Sequence, residues 1–122
     1  MLYAILCYDD EAVVESWTKE EDAAVVAKRR AARQKLVAQG RLGPVVRLMP
    51  TTAATTVRSG REPLVIDGPF AETKEQLLGL YIIDFPTLDE AINFAREIKA
   101  GESNGSFEIR PLRLFEPGSV PA

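Results

Sequence analysis

Asp67 opens the run DGPFAETKEQLLGLYIID (67–84), directly before a near-continuous apolar segment. A carboxylate at the end of a core strand can act as acid, base or ligand contact. The same residue suits a turn: Asp opens it, Gly68 supplies a positive φ, and Pro69 fixes the residue that follows. Asp67, Gly68, Pro69 and Phe70 together form a structural signature. Phe70 reads as a plug that packs the loop onto the core, with ligand stacking as the alternative. Glu72, Lys74 and Glu75 read as solvated or as a dimer rim, and Thr73 with Gln76 fits the capping pattern of a short helical turn. Lys74 as a Schiff-base lysine would need a depressed pKa, for which the sequence offers no cause.

A second group of ionisable residues lies in the long stretch 18–39. Arg29 and Arg33 project between two apolar rows, Val25, Ala32 and Leu36 on one side and Val26 and Val37 on the other. Each is either a flank arginine that snorkels or pairs with Asp22, or a pocket cation. Arginine does not release its proton near neutral pH and cannot serve as a general base. It can bind a carboxylate or phosphate, or stabilise an enolate-like charge. Tyr81 can point a hydroxyl into the same pocket, while Tyr3 and Tyr8 read as packing. The chain has no histidine and one cysteine, Cys7. Nothing of the histidine kind is present to activate Cys7, which reads as a small buried hydrophobe. Without histidine or a second cysteine, no protein-built zinc or copper site is expected. P-loop, GxGxxG and HExxH motifs are absent from the sequence, so no cofactor is expected.

The elements that must position these residues follow from periodicity. Leu2–Tyr8 is a strand with apolar residues on both alternating faces, which asks for cover on both. TKEE (18–21) is a capping box that starts a helix reaching about Gln39, stopped by Gly40. Ala24, Ala27, Ala31 and Ala38 make a second, small-residue face, so the helix is expected to touch neighbours on two sides. RLGPVVRLMP (41–50) turns at Gly43-Pro44 and runs briefly as a strand. ATTVR (54–58) and REPLVI (61–66) form a hairpin around Ser59-Gly60, and Pro63 places its second arm at an edge. Leu78–Phe85 is a core strand ended by Pro86. TLDE (87–90) starts a second helix with the stripe Leu88, Ala91, Ile92, Ala95 and Ile98, closed by Gly101. SFEIRPLRLF (106–115) is the last strand.

This order gives two βαβ halves: an α+β chain with a ferredoxin-like antiparallel sheet and two helices on one face. One domain is expected over residues 1–116, with 117–122 as a tail. The other sheet face, apolar on strands 2–8 and 78–83, is left for a second copy of the chain, hence a homodimer. A net charge of -3 argues against nucleic-acid and anionic-membrane partners. The apolar start before Asp9 is too short for a signal peptide or a membrane span, and a lone cysteine fits a cytoplasmic protein.

The opening YAILCYDDEA, the TTVRSG hairpin, the run 67–84, FPTLDEAINFA and the closing FEIRPL resemble the DGPF branch of the YCII-related proteins. The resemblance covers nearly the whole chain. It implies the dimeric α+β barrel fold and membership among small bacterial proteins often encoded beside sigma factors of the extracytoplasmic-function type. The wider family is proposed to hold a His–Asp pair in a pocket between sheet and helix, and one branch dehalogenates an aromatic substrate. By its place before GRL, the helix position where the wider family has histidine falls near Arg29, so that acid/base proposal does not transfer as it stands. Two function classes follow. One is a module that binds a small anionic or aromatic molecule in a pocket near the dimer interface, with an accessory role linked to sigma-factor regulation. The other is a cofactor-independent enzyme, lyase- or dehalogenase-like, using Asp67 and Arg29.

Overall fold

Strand β1 (Leu2–Asp9) turns Tyr3, Ile5, Cys7 and Asp9 to one face and Leu2, Ala4 and Leu6 to the other, as the two-residue period of a strand requires. The computed structural model describes residues 1–62 and 64–121. In it, β1 pairs antiparallel with β5 (Gln76–Asp84) on one side, with Ile5 opposite Tyr81 and Cys7 opposite Gly79. On its other side β1 pairs antiparallel with β6 (Ser106–Pro111), with Cys7 opposite Phe107. β2 (Leu42–Arg47) pairs antiparallel with β5, completing a four-stranded sheet of order β2-β5-β1-β6. Each βαβ half is split by a strand of the other half, the ferredoxin-like arrangement.

Helix α2 (Lys19–Ala38) begins at a complete capping box: Thr18 Oγ1 accepts the Glu21 amide at 3.1 Å and Glu21 Oε1 accepts the Thr18 amide at 3.0 Å. Its chain turns away at Gly40, φ 68°. Helix α3 (Leu88–Lys99) starts under Thr87, which accepts the Glu90 amide at 3.2 Å. Leu36 of α2 and Ala91, Phe94 and Ile98 of α3 share one core with Tyr3, Ile5, Tyr81 and Ile83, so both helices cover the same sheet face. Each fully buried isoleucine or phenylalanine there contributes roughly 1.5–3 kcal/mol.

Several expectations change. A five-residue helix, α1 (Glu11–Glu15), follows β1, capped by Asp10 on the Ala12 amide; it is too short to show a stripe. Gly43-Pro44 lies inside β2, where the register against β5 slips between Leu42 and Val45, so the pair forms an irregular strand segment instead of a turn. Residues 73–76 are not helical. Gln76 enters the ladder opposite Asp9, and its side chain accepts the Glu11 amide at 2.9 Å while donating to the Thr73 carbonyl. The alanine face of α2 is exposed, so the helix packs on one side only. The last strand ends at Pro111, short of 115.

The hairpin forms a separate two-stranded sheet of β3 (Thr55–Arg58) and β4 (Leu64–Asp67). The role given to Pro63 lies outside the described residues. Gly68, after β4, has φ 101°, as the turn reading requires. Its amide donates to the Ala54 carbonyl at 2.7 Å and its own carbonyl accepts from Thr56 Oγ1 at 2.8 Å. Phe70, expected to plug the core, is 74% exposed, as are most side chains of the hairpin.

Candidate functional site

The first helix does not seal against the sheet along its whole length. Toward its N-terminal half, α2, α1 and the β2 edge enclose a cleft of about 290 Å³ above the sheet. Gly79 lies in its floor, where β5 carries no side chain. A Cβ there would meet the Val46 carbonyl oxygen at 2.5 Å, so glycine also permits the close approach of β2. Val14, Trp17, Val25 and Val26 supply apolar walls, and four arginines face two aspartates around the lining. That is a local excess of positive charge in a chain of net charge -3.

Arg33 is the innermost of these cations. It is 9% exposed, its guanidinium carbon lies 4.9 Å from the Tyr81 ring centroid, and it has no hydrogen bond or ion pair among the described residues. No fully buried side-chain nitrogen or oxygen lacks a partner, so the Arg33 nitrogens keep access to the cleft. Burial, then the neighbouring Cys7, raises the Tyr81 phenol above its ordinary range. Burial pushes the Cys7 thiol up to about 11, which leaves it a protonated, inert wall.

Arg29, one turn earlier, is spoken for. Its Nη2 donates to Glu102 Oε1 at 2.7 Å, with the two side chains 19% and 14% exposed, and its guanidinium stacks 5.4 Å from the Phe107 centroid. Lys28 and Lys99 also reach Glu102, at 3.4 and 3.3 Å. Burial alone would raise the Glu102 carboxyl, but the Arg29 hydrogen bond and the charges of Arg29 and Lys99 outweigh it and hold the carboxyl below its ordinary value. At the mouth, Arg47 grips Asp22 through both nitrogens, at 2.6 and 3.1 Å, bridging β2 and α2. Asp22 therefore pairs with Arg47, and the expected pairing with Arg29 or Arg33 is not formed.

Arg29, Arg33 and Tyr81 thus line one cleft, whereas Asp67 and Phe70 are exposed and stand outside its lining. Arg29 and Asp67 do not share it, so the enzyme reading built on that pair draws no support from the geometry. Of the loop charges, Glu75 accepts from Ser106 Oγ at 2.8 Å, and Glu72 and Lys74 are exposed. Several site residues escaped the sequence reading, Arg30 and Arg47 among them. Asp9 was within reach, because extending the alternation Tyr3, Ile5, Cys7 by one step places it on the helix-covered face. Trp17 and Glu102 sit in connections without periodicity, and no sequence signal points to them.

A sheet of this order, backed on one face by two helices with a charged cleft beneath the first, defines a ferredoxin-like α+β protein. More particularly, residues 1–116 match the model of the YCII-related domain, and the chain belongs to that family. It is similar over its whole length to a protein of Rhizobium meliloti (strain 1021) described as uncharacterized, with 57% identity over 124 aligned positions that take in 100% of each chain. Among the described residues no helix is long and apolar enough to cross a membrane.

Proposed function

We propose that this chain is a binding module for a small organic anion with an apolar or aromatic body, held in the cleft under α2. The observation that supports this best is Arg33: nine-tenths buried, facing the cleft, and without an anionic partner among the described residues. A buried charge left alone is destabilising by several kcal/mol, and a ligand carboxylate or phosphate removes that cost while Trp17 and the valines take the apolar body. A thermal-shift panel of aromatic and aliphatic carboxylates and phosphate esters tests the reading, because a ligand that prefers the native state raises Tm. The expected result is an upward shift with some of these anions that Arg33→Met abolishes. No shift with any anion, or a shift that survives Arg33→Met, overturns it.

The module acts, on the same reading, as a cytoplasmic homodimer. Leu6, Leu80 and Ile82 lie half-buried on the sheet face opposite the helices, and Val57, Leu64, Val65 and Phe70 are more than half exposed on the hairpin and its loop. Equilibrium sedimentation at micromolar concentration should return twice the 13.4 kDa chain mass. A clean monomer removes this part of the proposal. The resemblance to the DGPF branch supports an accessory role in sigma-factor regulation, with the bound anion as its signal.

A further inference from the structure

Asp9 and Arg33 are the two charged side chains that are more than nine-tenths buried among the described residues, and both line the cleft. They do not pair with each other. Asp9 Oδ1 accepts the Asp10 amide at 2.8 Å. Its Oδ2 accepts no hydrogen bond among the described residues, and Asp9 enters no ion pair with them. Since no fully buried polar atom is left without a partner, Oδ2 keeps contact with solvent; it lies toward Gly105, where a Cβ would meet Oδ2 at 3.0 Å and Lys99 Nζ at 2.8 Å. Among the described residues the cleft therefore holds one buried cation, Arg33, and one buried carboxylate oxygen that no side chain or amide engages, while Arg30 stands exposed at its rim.

The two stand at different places along it. Arg33 lies over Tyr81, which is opposite Ile5 on β1, while Asp9 is opposite Gln76, four residues further along the strand. At about 3.3 Å per residue that is roughly 13 Å of strand. Subtracting a hydrogen bond of about 2.8 Å at each end leaves a ligand whose polar ends are on the order of 7 Å apart. Trp17, Val25 and Val26 line the cleft with them.

We infer that the ligand of this cleft is amphoteric: a carboxylate or phosphate end on Arg33 and an ammonium or hydroxyl end donating to Asp9, separated by a short apolar or aromatic spacer. The inference rests on the anion reading above and narrows it. A ligand of this kind engages both buried charges at once, whereas a plain acid leaves the Oδ2 of Asp9 without a donor.

Three probes of matched size test it by calorimetry on the intact chain: para-aminomethylbenzoate, para-methylbenzoate, which lacks the ammonium, and benzylamine, which lacks the acid. The first should bind about tenfold or more tightly than either of the others. Asp9→Asn keeps an acceptor for the Asp10 amide. It should erase the preference for the aminomethyl compound and leave para-methylbenzoate binding as before. Arg33→Met, checked for an unchanged circular dichroism spectrum and a Tm no lower than that of the wild type, should lose both acids. Equal or tighter binding of para-methylbenzoate, or a preference that survives Asp9→Asn, overturns the amphoteric reading and leaves the anion reading standing. If neither acid binds, the amphoteric reading falls, and the wider anion panel decides whether the anion reading falls with it.

Discussion

Arg29 and Arg33 leave the same helix one turn apart and end in opposite electrostatic states. At the corner where α2 meets the loop after α3, Arg29 shares Glu102 with Lys28 and Lys99 and stacks on Phe107. In the cleft, Arg33 stacks on Tyr81 and meets no carboxylate among the described residues. The corner satisfies its charges internally and serves to fasten α2 to α3 and β6. In the cleft, Arg33 and the Oδ2 of Asp9 have no hydrogen-bond partner among the described residues, which is what the proposed ligand would supply. Charge type is the same in both regions, so the difference lies in whether an opposing residue from a distant part of the chain arrives. Glu102 reaches the corner across 73 residues of sequence, and among the described residues no counterpart reaches Arg33.

The largest expected effect belongs to the corner. Glu102→Gln leaves Arg29 mostly buried without a counter-charge and should lower stability by about 2 kcal/mol, read as a fall in the urea midpoint. The same variant carries a pH signature. Because the folded state holds the Glu102 carboxyl below its ordinary value, its contribution is fully present above about pH 4.5 and is lost as pH falls through the lower folded value. Wild type and Glu102→Gln should therefore converge in acid, and curves that stay parallel down to pH 2 would show that the charge is not what matters.

In the cleft the sign is different. Arg33→Met removes a buried charge that has no counter-ion among the described residues and should leave stability within about 1 kcal/mol of wild type, or raise it. A loss as large as that of Glu102→Gln would mean that Arg33 is paired as Arg29 is, and the contrast between the two regions would collapse. The smallest effect is expected at the mouth, where Arg47 and Asp22 are both solvated. Asp22→Asn should change stability by less than about 0.5 kcal/mol, and the change should shrink further in high salt.

The signature run and the cleft also divide what was legible. Asp67, Gly68, Pro69 and Phe70 stand out by residue type, and the turn at Gly68 is legible in them, because a glycine there permits the positive φ, 101°, that the turn needs. The functional weight placed on Asp67 and Phe70 has no local test: whether a loop lies on the core depends on where its hairpin docks. In this chain the hairpin forms its own two-stranded sheet and leaves Phe70 in solvent.

Sequence alone determined the strand and helix order, the capping boxes at Thr18 and Thr87, and the apolar stripe of α3, because periodicity, caps and glycine stops act between residues a few positions apart. It thereby determined the ferredoxin-like sheet, since two βαβ halves with short connections leave few ways to pair four strands. It also placed Arg29 and Arg33 on the sheet-facing flank of α2. Only the tertiary structure decided that Glu102 neutralises the first and not the second, that Asp9 opposes Gln76 on β5, and that Gly79 lies in the cleft floor against β2. Those outcomes depend on which side chains from distant segments arrive within a hydrogen bond of one another. Local alternation groups Asp9 with Tyr3, Ile5 and Cys7, but a shift of one residue in strand register would turn that whole row to the opposite face, so the pattern by itself does not say which residues of other strands meet it.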